Sequence, residues 1–154
     1  MRDRLTRLRK LGPSKANAWL AKIESRDNQD RLYRVMGLAW VGHKAEVQRA
    51  LKELLAHQKA DGGWSDLDMM EPSAYTTGKA LVAMRIAGVP ATDPAFKRGV
   101  GYLLRTQQED GSWYVKSRAM TFQPFCESGF PHSYDQWISA AGSSWAVMAL
   151  SLAK

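Results

Sequence analysis

The residues with the clearest capacity for chemistry lie in one short stretch of the chain. Cys126, Glu127, His132 and Asp135 fall within ten residues of one another, and thiolate, imidazole and carboxylate groups are the usual ligands of zinc. Glycine and proline interrupt the stretch, so the alternative is an ordered loop whose polar groups make ordinary contacts. We favour the loop and expect neither a metal nor another cofactor. Since Cys126 is the single cysteine, an intrachain disulfide is excluded.

Two segments of the sequence repeat each other, and they predict the helices that position the candidate side chains. Residues 49–64 read RALKELLAHQKADGGW, and residues 98–113 read RGVGYLLRTQQEDGSW. The two segments align without a gap at an offset of 49 residues, with seven identities in sixteen positions. Self-similarity at a fixed period of this size is typical of repeat architectures.

Each copy predicts an amphipathic helix followed by an abrupt stop. In the first copy, apolar residues recur at three- and four-residue spacing from Val47 to Leu55, which places them on one helical face. An Asp-Gly pair then ends the helix, because glycine adopts the left-handed conformation that other residues resist. A tryptophan follows each pair, and we expect it to fold back over the helix end.

Helices of a second kind separate the amphipathic ones. The segment YTTGKALVAM, which begins at Tyr75, is apolar or small on nearly every side, as is typical of a buried helix. The protein is therefore predicted to be all-α and built from α/α hairpins. The predicted helices are buried ones at about 29–41, 73–88 and 139–153, amphipathic ones at 44–59 and 93–108, and a further one at 14–24.

The net charge of +7 is concentrated at the start of the sequence. Residues 1–10, MRDRLTRLRK, carry five basic residues and one acidic residue, with leucines spaced for a short amphipathic helix. One interpretation is peripheral contact with an anionic membrane or with phosphates; the favoured one is a solvated face of a basic helical segment over residues 1–28. Nucleic-acid binding is not expected, because interleaved aromatics and nucleic-acid motifs are missing. We expect no signal peptide or transmembrane helix in this chain, and the compartment stays undetermined.

The repeated pattern, a helix followed by Gln-x-x-Asp-Gly-x-Trp, resembles the QW motif of the squalene–hopene and oxidosqualene cyclases. The segment YTTGKALVAM is similar to an inner helix of the same terpenoid cyclase superfamily, which includes the protein prenyltransferase β subunits. The resemblance covers residues 29–154 and implies an α/α toroid whose inner helices line a barrel. It also implies that the motif residues are structural and tie neighbouring repeats together: Gln58, Gly62, Trp64, Gln107, Gly111 and Trp113.

The resemblance implies a catalytic acid motif that this sequence contains only in part. Triterpene cyclases protonate their substrate with an Asp-x-Asp-Asp motif at the head of an inner helix, and such an acid must be kept neutral in an apolar cavity. Asp66 and Asp68 are the corresponding candidates, but Met69 follows them and they precede the inner helix. We therefore interpret them as solvated loop carboxylates and leave open whether the protein is an enzyme. An enzyme of this superfamily would be an isomerase or a prenyl transferase.

The prenyltransferases of the same superfamily bind zinc through Asp, Cys and His. In this chain that site would fall on Cys126, His132 and Asp135. The Asp-x-Cys pairing of those enzymes is absent, which favours the loop interpretation given above.

The second copy of the motif is followed by an insertion of 17 residues relative to the first. The inserted segment, at about 114–137, is too rich in aromatic residues for an exposed loop, so we expect it to pack over another surface. It is either a lid across the mouth formed by the inner helices or a compact loop that covers exposed core. In a lid, a ligand would contact aromatic residues of the insertion and of the inner helices: Tyr75, Phe122, Phe125, Phe130, Tyr134, Trp137 and Trp145.

One hairpin takes about 49 residues, so 154 residues contain about three, and a closed barrel of this superfamily needs about twice that number. We therefore predict a partial, open α/α toroid, the terminal part of a larger protein, with Tyr75, Leu81 and Trp145 on its concave face. The favoured function is binding of an apolar or isoprenoid-like ligand on that face; the alternative is a non-catalytic protein-interaction scaffold, and the fold alone does not choose between them. The expected partners are such a ligand and either the remaining repeats of a longer chain or further copies of this one.

Overall fold

The structure, a computed structural model, describes residues 15–16, 18–118 and 125–154. The basic segment 1–14 and the candidate ligand residue Phe122 lie outside the described residues. Within them every regular element is helical, as predicted, and no helix is long and apolar enough to cross a membrane. A helical segment at 18–22 precedes the α-helices, and a short 3-10 helix at Ser133–Asp135 leads into the last one. The α-helices are α1 (Asn28–Val41), α2 (Lys44–Ala56), α3 (Ala74–Ile86), α4 (Pro94–Thr106) and α5 (Gln136–Ser151).

Local signals in the sequence explain where these helices begin and end. The side chains of Asp27 and Ser73 cap α1 and α3 by accepting hydrogen bonds from backbone N–H groups three residues further on. Asp93 caps α4 in the same way. Pro94 occupies the first helical position, where a backbone N–H would have no partner within the helix, so proline costs no hydrogen bond there. The amphipathic helices α2 and α4 end two or three residues before the predicted positions. The glutamine of each motif lies in the turn that follows, where its side chain donates a hydrogen bond to the carbonyl of the motif glycine.

The helices pack as hairpins arranged in an arc. Helix α2 packs on α1 and α4 packs on α3, while α1, α3 and α5 contact one another in chain order. We call α1, α3 and α5 the inner helices and α2 and α4 the outer helices. The most extensive contact joins α3 to α5, where a Cβ atom on Gly78 would lie 2.6 Å from the carbonyl carbon of Trp145. This arrangement confirms the prediction of α/α hairpins in a partial, open toroid.

Helical geometry gives α3 two distinct sides. Leu81 faces the outer layer, since one of its methyl groups lies 2.8 Å from the place that a Cβ atom on Gly99 of α4 would take. Tyr75 and Lys79 lie on the opposite side of the helix, about half a turn away. We call this side of α3, together with the adjoining sides of α1 and α5, the inner-helix face. The expectation that Leu81 lies on this face is wrong, because its side chain is fully buried against the outer layer.

Both tryptophans of the repeated motif make the same two hydrogen bonds. The indole Nε1 of Trp64 donates to the carbonyl of Leu54 at 2.9 Å, and its backbone N–H donates to a threonine hydroxyl of α3 at 2.9 Å. Trp113 repeats the pattern with the carbonyl of Leu103 at 2.8 Å and a serine hydroxyl of α5 at 2.9 Å. The two side chains are 0% and 1% exposed. Each indole therefore covers the end of an outer helix and attaches it to the next inner helix.

The two edges of the arc differ. At the α1 edge the helical segment 18–22 covers the array: Leu20 lies over Gly37, and Arg34 donates to the carbonyl of Leu20 at 2.9 Å. At the other edge, α4 and α5 present large apolar side chains to solvent: Leu104, Val147 and Met148. Within the described residues, one edge is covered and the other is not.

Candidate functional site

A buried lysine lies at the centre of the inner-helix face. Lys79 is the only charged residue among the first eleven residues of α3, and it is 1% exposed. Its ammonium donates to the side-chain oxygens of Gln29 at 3.0 Å, Tyr33 at 3.3 Å and Tyr75 at 2.5 Å. An ammonium has three N–H donors, so these bonds can use all of them, as the burial of a charge requires.

Three aromatic rings surround the same ammonium. Its Nζ lies 3.8 Å from the ring centroid of Tyr75, 5.2 Å from that of Tyr33 and 5.6 Å from that of Trp145, all within the range of cation–π attraction. The acceptors of its three hydrogen bonds are uncharged oxygens. Neutral oxygens and aromatic rings therefore stabilise this interior positive charge.

Asp66 connects the lysine to a second group of residues. Gln29 donates from Nε2 to Oδ1 of Asp66 at 2.7 Å, Arg118 donates to Oδ2 at 2.8 Å, and the hydroxyl of Thr76 also donates to Oδ1. Both oxygens accept hydrogen bonds, as those of an ionised carboxylate do. A continuous chain of hydrogen bonds therefore runs from Lys79 through Gln29 and Asp66 to Arg118.

Asp68 lies apart from this chain of hydrogen bonds. Its side chain is 64% exposed, and its Oδ1 is 2.8 Å from Nδ1 of His57 and 3.9 Å from the guanidinium of Arg31. The two carboxylates thus have different partners, and each bonds to a basic side chain rather than lying in an apolar enclosure. This is not the environment that keeps a carboxylic acid neutral and able to donate a proton.

A cavity of about 500 Å³ lies beside Asp66. Segment 115–118 supplies two cationic side chains to its lining, and the residues around the start of α5 supply the rings of Tyr134 and Trp137. Trp137 is 61% exposed, so its ring is available to a ligand. The lining residues are Asp66, Val115, Lys116, Ser117, Arg118, Tyr134, Trp137 and Ile138.

The two other aromatic candidates of the insertion that the structure describes, Phe125 and Phe130, lie close to residues of the insertion itself. The ring of Phe125 packs at a tilt of 49° against that of Tyr134, with centroids 4.7 Å apart, and the ring of Phe130 lies 6.3 Å from that of His132. The structure therefore brings Tyr134 and Trp137 to the cavity, and Tyr75 and Trp145 to the lysine. Phe125 and Phe130 contact rings of the insertion itself, and Phe125 is exposed.

Polar contacts join the insertion to the start of α5. Asp135 accepts hydrogen bonds from the hydroxyl of Tyr114 and the backbone N–H of Ser117, both at 2.7 Å, and the first of these bonds raises the pKa of Tyr114. The side chain of Gln136 is fully buried and accepts from the backbone N–H of Ser128 at 2.6 Å. These bonds fix the position of the first residues of α5, which line the cavity.

The three metal candidates of the insertion have separate partners. His132 lies with its Nε2 2.8 Å from the hydroxyl of Ser112, Asp135 bonds to the groups just described, and Cys126 is exposed. Among the described residues, no three His, Cys, Asp or Glu side chains are grouped so that they could bind a metal ion.

Sequence reasoning named Tyr75 and Trp145 but missed Lys79 itself and its partners Gln29 and Tyr33. The available signal was a single charged residue in a helix that is apolar on nearly every side, four residues after Tyr75 and hence on the same helical face. Gln29, Tyr33 and Arg118 come from distant segments of the chain, and no spacing in the sequence indicates that they meet.

The arc of hairpins and its repeated glutamine–tryptophan motif define an α/α toroid repeat protein of the terpenoid cyclase type. The chain belongs to the squalene–hopene cyclase C-terminal domain family, whose family model matches residues 30–134.

Curated relatives of the chain are much longer proteins. It is 29% identical over 85 residues to the squalene–hopene cyclase of Zymomonas mobilis subsp. mobilis, an alignment that covers 43% of this chain and 13% of that protein. It is 32% identical over 85 residues to the copalyl diphosphate synthase of Streptomyces cyslabdanicus, covering 50% of this chain and 16% of that protein. It is 26% identical over 114 residues to the lanosterol synthase of Candida albicans, covering 65% and 16%. The chain thus spans less than a fifth of the length of each.

Proposed function

We propose that this squalene-cyclase-like repeat domain binds an apolar or isoprenoid-like ligand at the inner-helix face and in the adjoining cavity. The observation that carries the proposal is the exposed ring of Trp137 in the lining of the cavity, beside Tyr134 and Ile138. A concave site of a few hundred Å³ with apolar rings and a few polar groups is the usual form of a small-molecule site. The names of the relatives, squalene–hopene cyclase and copalyl diphosphate synthase, support an isoprenoid skeleton for the ligand.

The proposed role is binding rather than cyclisation. Asp66 bonds to Arg118 at 2.8 Å, and Asp68 is largely exposed beside His57, so neither is set up to protonate an alkene. We therefore expect the purified chain to leave squalene unchanged. Turnover of squalene that disappears in Asp68→Asn would contradict this part of the proposal.

Isothermal titration calorimetry with farnesol, an isoprenoid alcohol, tests the binding. We expect saturable binding that weakens about tenfold or more in Trp137→Ala, because the substitution removes an exposed apolar ring from the lining of the cavity. Trp19→Ala is the matched control: Trp19 is also exposed, but it lines a groove with Ile23 and Asp30. Absence of saturable binding, or equal losses in the two variants, would reject the proposed site.

A second function, docking of a further α/α repeat, is favoured by a difference between the two copies of the motif. Gln58 donates to the carbonyl of Ala95 at 2.9 Å and accepts from Arg98, both on the next outer helix. Gln107 is exposed, and in the described part of the chain its side chain bonds only to the carbonyl of Gly111, at 3.0 Å. In the first copy the glutamine is bonded to the next outer helix. In the described residues of the second copy, the equivalent glutamine is not bonded to any outer helix.

The inner helices show the same difference. Gly78 is buried where α5 crosses α3, whereas Ser144, 66 residues further on and equivalent in the repeat, is exposed. Val147 and Met148 are exposed beside it. We infer that this uncovered edge docks a further α/α repeat, and in a solution of the isolated chain the available repeat is a second copy.

Sedimentation velocity tests this second function. We expect concentration-dependent association of the purified chain that Val147→Arg abolishes, because a buried, unpaired guanidinium is strongly unfavourable in an apolar contact. Tyr134→Arg, at an exposed position by the cavity, is the control for adding one positive charge. A chain that stays monomeric at high concentration and binds no apolar dye would show that the edge is not a docking surface.

A further inference from the structure

We propose that the ligand of the cavity carries an anionic head group, a phosphate or a carboxylate, which Lys116 and Arg118 bind while its apolar body lies against Trp137. The inference rests on the proposed binding function, and it goes further by assigning the charge of the ligand.

The lining of the cavity carries more positive than negative charge. Lys116 and Arg118 both line it, against the single carboxylate of Asp66. Both oxygens of that carboxylate are already bonded, one to Gln29 and the other to Arg118. Among the described residues Lys116 has no ion-pair partner and is exposed. One positive charge of the lining is therefore free to attract an anion.

A second carboxylate, that of Asp135, lies close to the cavity and keeps its negative charge, but it does not line the cavity. Asp135 lies just before α5, but its oxygens accept hydrogen bonds from Tyr114 and from the backbone N–H of Ser117, each at 2.7 Å. These bonds direct the carboxylate onto the 114–117 segment. An anion in the cavity would therefore meet Lys116 and Arg118, which line it, rather than Asp135, which does not.

Lys79 adds a second, interior source of positive potential. Its ammonium is 1% exposed and its hydrogen-bond acceptors are neutral, and it is linked to Asp66 through Gln29. Salt screens a buried charge much less than a surface charge. Three cationic groups, Lys79, Lys116 and Arg118, therefore stand against the two carboxylates of Asp66 and Asp135 around the cavity. The excess of one positive charge favours an anion over a neutral or cationic group.

The chemical character of the lining matches an amphiphile. Segment 115–118 contributes both cationic side chains, whereas the residues at the start of α5 contribute the rings of Tyr134 and Trp137 and the side chain of Ile138. A hydrocarbon would use only the second set of residues. A molecule with an apolar body and an acidic head would use both.

Calorimetric titrations with farnesol and farnesyl monophosphate, which share one apolar body, test the inference. At about 0.02 M salt we expect the phosphate to bind about tenfold or more tightly than the alcohol, and at about 0.5 M salt the ratio should fall as screening increases. The double variant Lys116→Gln/Arg118→Gln should reduce the ratio to about one. Lys52→Gln/Lys97→Gln removes the same net charge from exposed positions on the outer helices and should keep the ratio.

The possible outcomes separate this inference from the binding function on which it rests. Equal affinities for the alcohol and the phosphate would overturn the head-group site while leaving the apolar site in place. Loss of the preference in both double variants would show a nonspecific effect of net charge and would also overturn it. Binding of neither compound would reject the proposed function itself. Tight binding of inorganic phosphate alone would show an anion site that needs no apolar body, contrary to the proposal.

Discussion

Gly62 lies directly against the backbone carbonyl of Arg98, so that the turn after α2 and helix α4 touch through their main chains. A Cβ atom on Gly62 would be 2.8 Å from the carbonyl carbon of Arg98, and Gly62 has a φ of 92°. Gly111 takes the same place in the second copy with a φ of 82°, but its nearest neighbour in the described residues would be 3.9 Å away, on Gln107. The two glycines share a conformation and differ in their packing.

Alanine substitutions at these two glycines are expected to have unequal costs. Gly111→Ala should lower the free energy of unfolding by about 1–2 kcal/mol, because a side chain disfavours the left-handed conformation. Gly62→Ala should cost about 1–3 kcal/mol more, because the new methyl group collides with the backbone of α4. Urea denaturation of both variants measures the difference. Equal losses would mean that the close contact with Arg98 does not exist in solution.

The motif tryptophans are expected to be among the most sensitive positions in the chain. Trp64→Ala or Trp113→Ala should each lower the free energy of unfolding by about 3–5 kcal/mol, the usual range for a buried aromatic side chain. The exposed Trp137 provides a control, for which Trp137→Ala should cost about 1 kcal/mol or less. Guanidinium denaturation monitored by circular dichroism measures all three. A loss of less than about 1 kcal/mol for Trp64→Ala would contradict the covering role of the indole.

The two carboxylates ahead of α3 are expected to differ in their contribution to stability. Asp66→Ala should cost about 2–3 kcal/mol, because Gln29, Thr76 and Arg118 all lose a charged acceptor. Asp68→Ala should cost about 1 kcal/mol or less, since the Asp68 side chain is 64% exposed and water weakens its ion pairs. Thermal unfolding and urea titration both report this order. The reverse order would show that Asp66 does not link the inner helices to the insertion.

Stability should also fall in the alkaline range because of one buried tyrosine. Burial, with smaller effects from the charges of Asp61 and Glu71, raises the pKa of Tyr102 to about 12. A raised pKa of this kind gives stability that is fully present below the unfolded-state pKa of about 10 and is lost as the pH rises towards 12. Tyr102→Phe removes the ionisable group, so its free energy of unfolding should depend less on pH between about 10 and 12. Denaturation curves of both proteins across this range test the assignment, and parallel curves would refute it.

The helices were predictable because their signals are local. Each outer helix has one apolar stripe, and α3 begins beside a capping serine at Ser73, so both helix types could be located from short windows of sequence. The repeat supplied the remaining information, because the same Asp-Gly stop and tryptophan occur twice. Resemblance to a known family then gave the order of inner and outer helices.

The candidate site was less predictable because it depends on distant contacts. Tyr75, Tyr134, Trp137 and Trp145 were expected to line a site, but nothing in the sequence divided them between a cavity and the surroundings of a lysine. Lys79 is paired with groups from α1, 46 and 50 residues away. Such tertiary contacts leave no periodic pattern in the sequence, and they decide whether a buried charge can be tolerated.

The unequal sizes of the residues between neighbouring repeats determine how strongly the arc bends. At Gly78 the inner helices approach until their main chains touch, whereas nearer the outer helices the indole of Trp64 is inserted beside Gly99, where a Cβ atom would lie 3.1 Å from the ring. Each repeat is therefore narrow on the inside and wide on the outside, and repeats of that shape form a curve when they stack. The radius of the curve is set by the difference between the two spacings rather than by either alone. A larger residue at Gly78 or a smaller one at Trp64 would each make the array straighter. The number of repeats needed to close a ring is therefore determined by the side-chain volumes between the inner helices and between the outer helices.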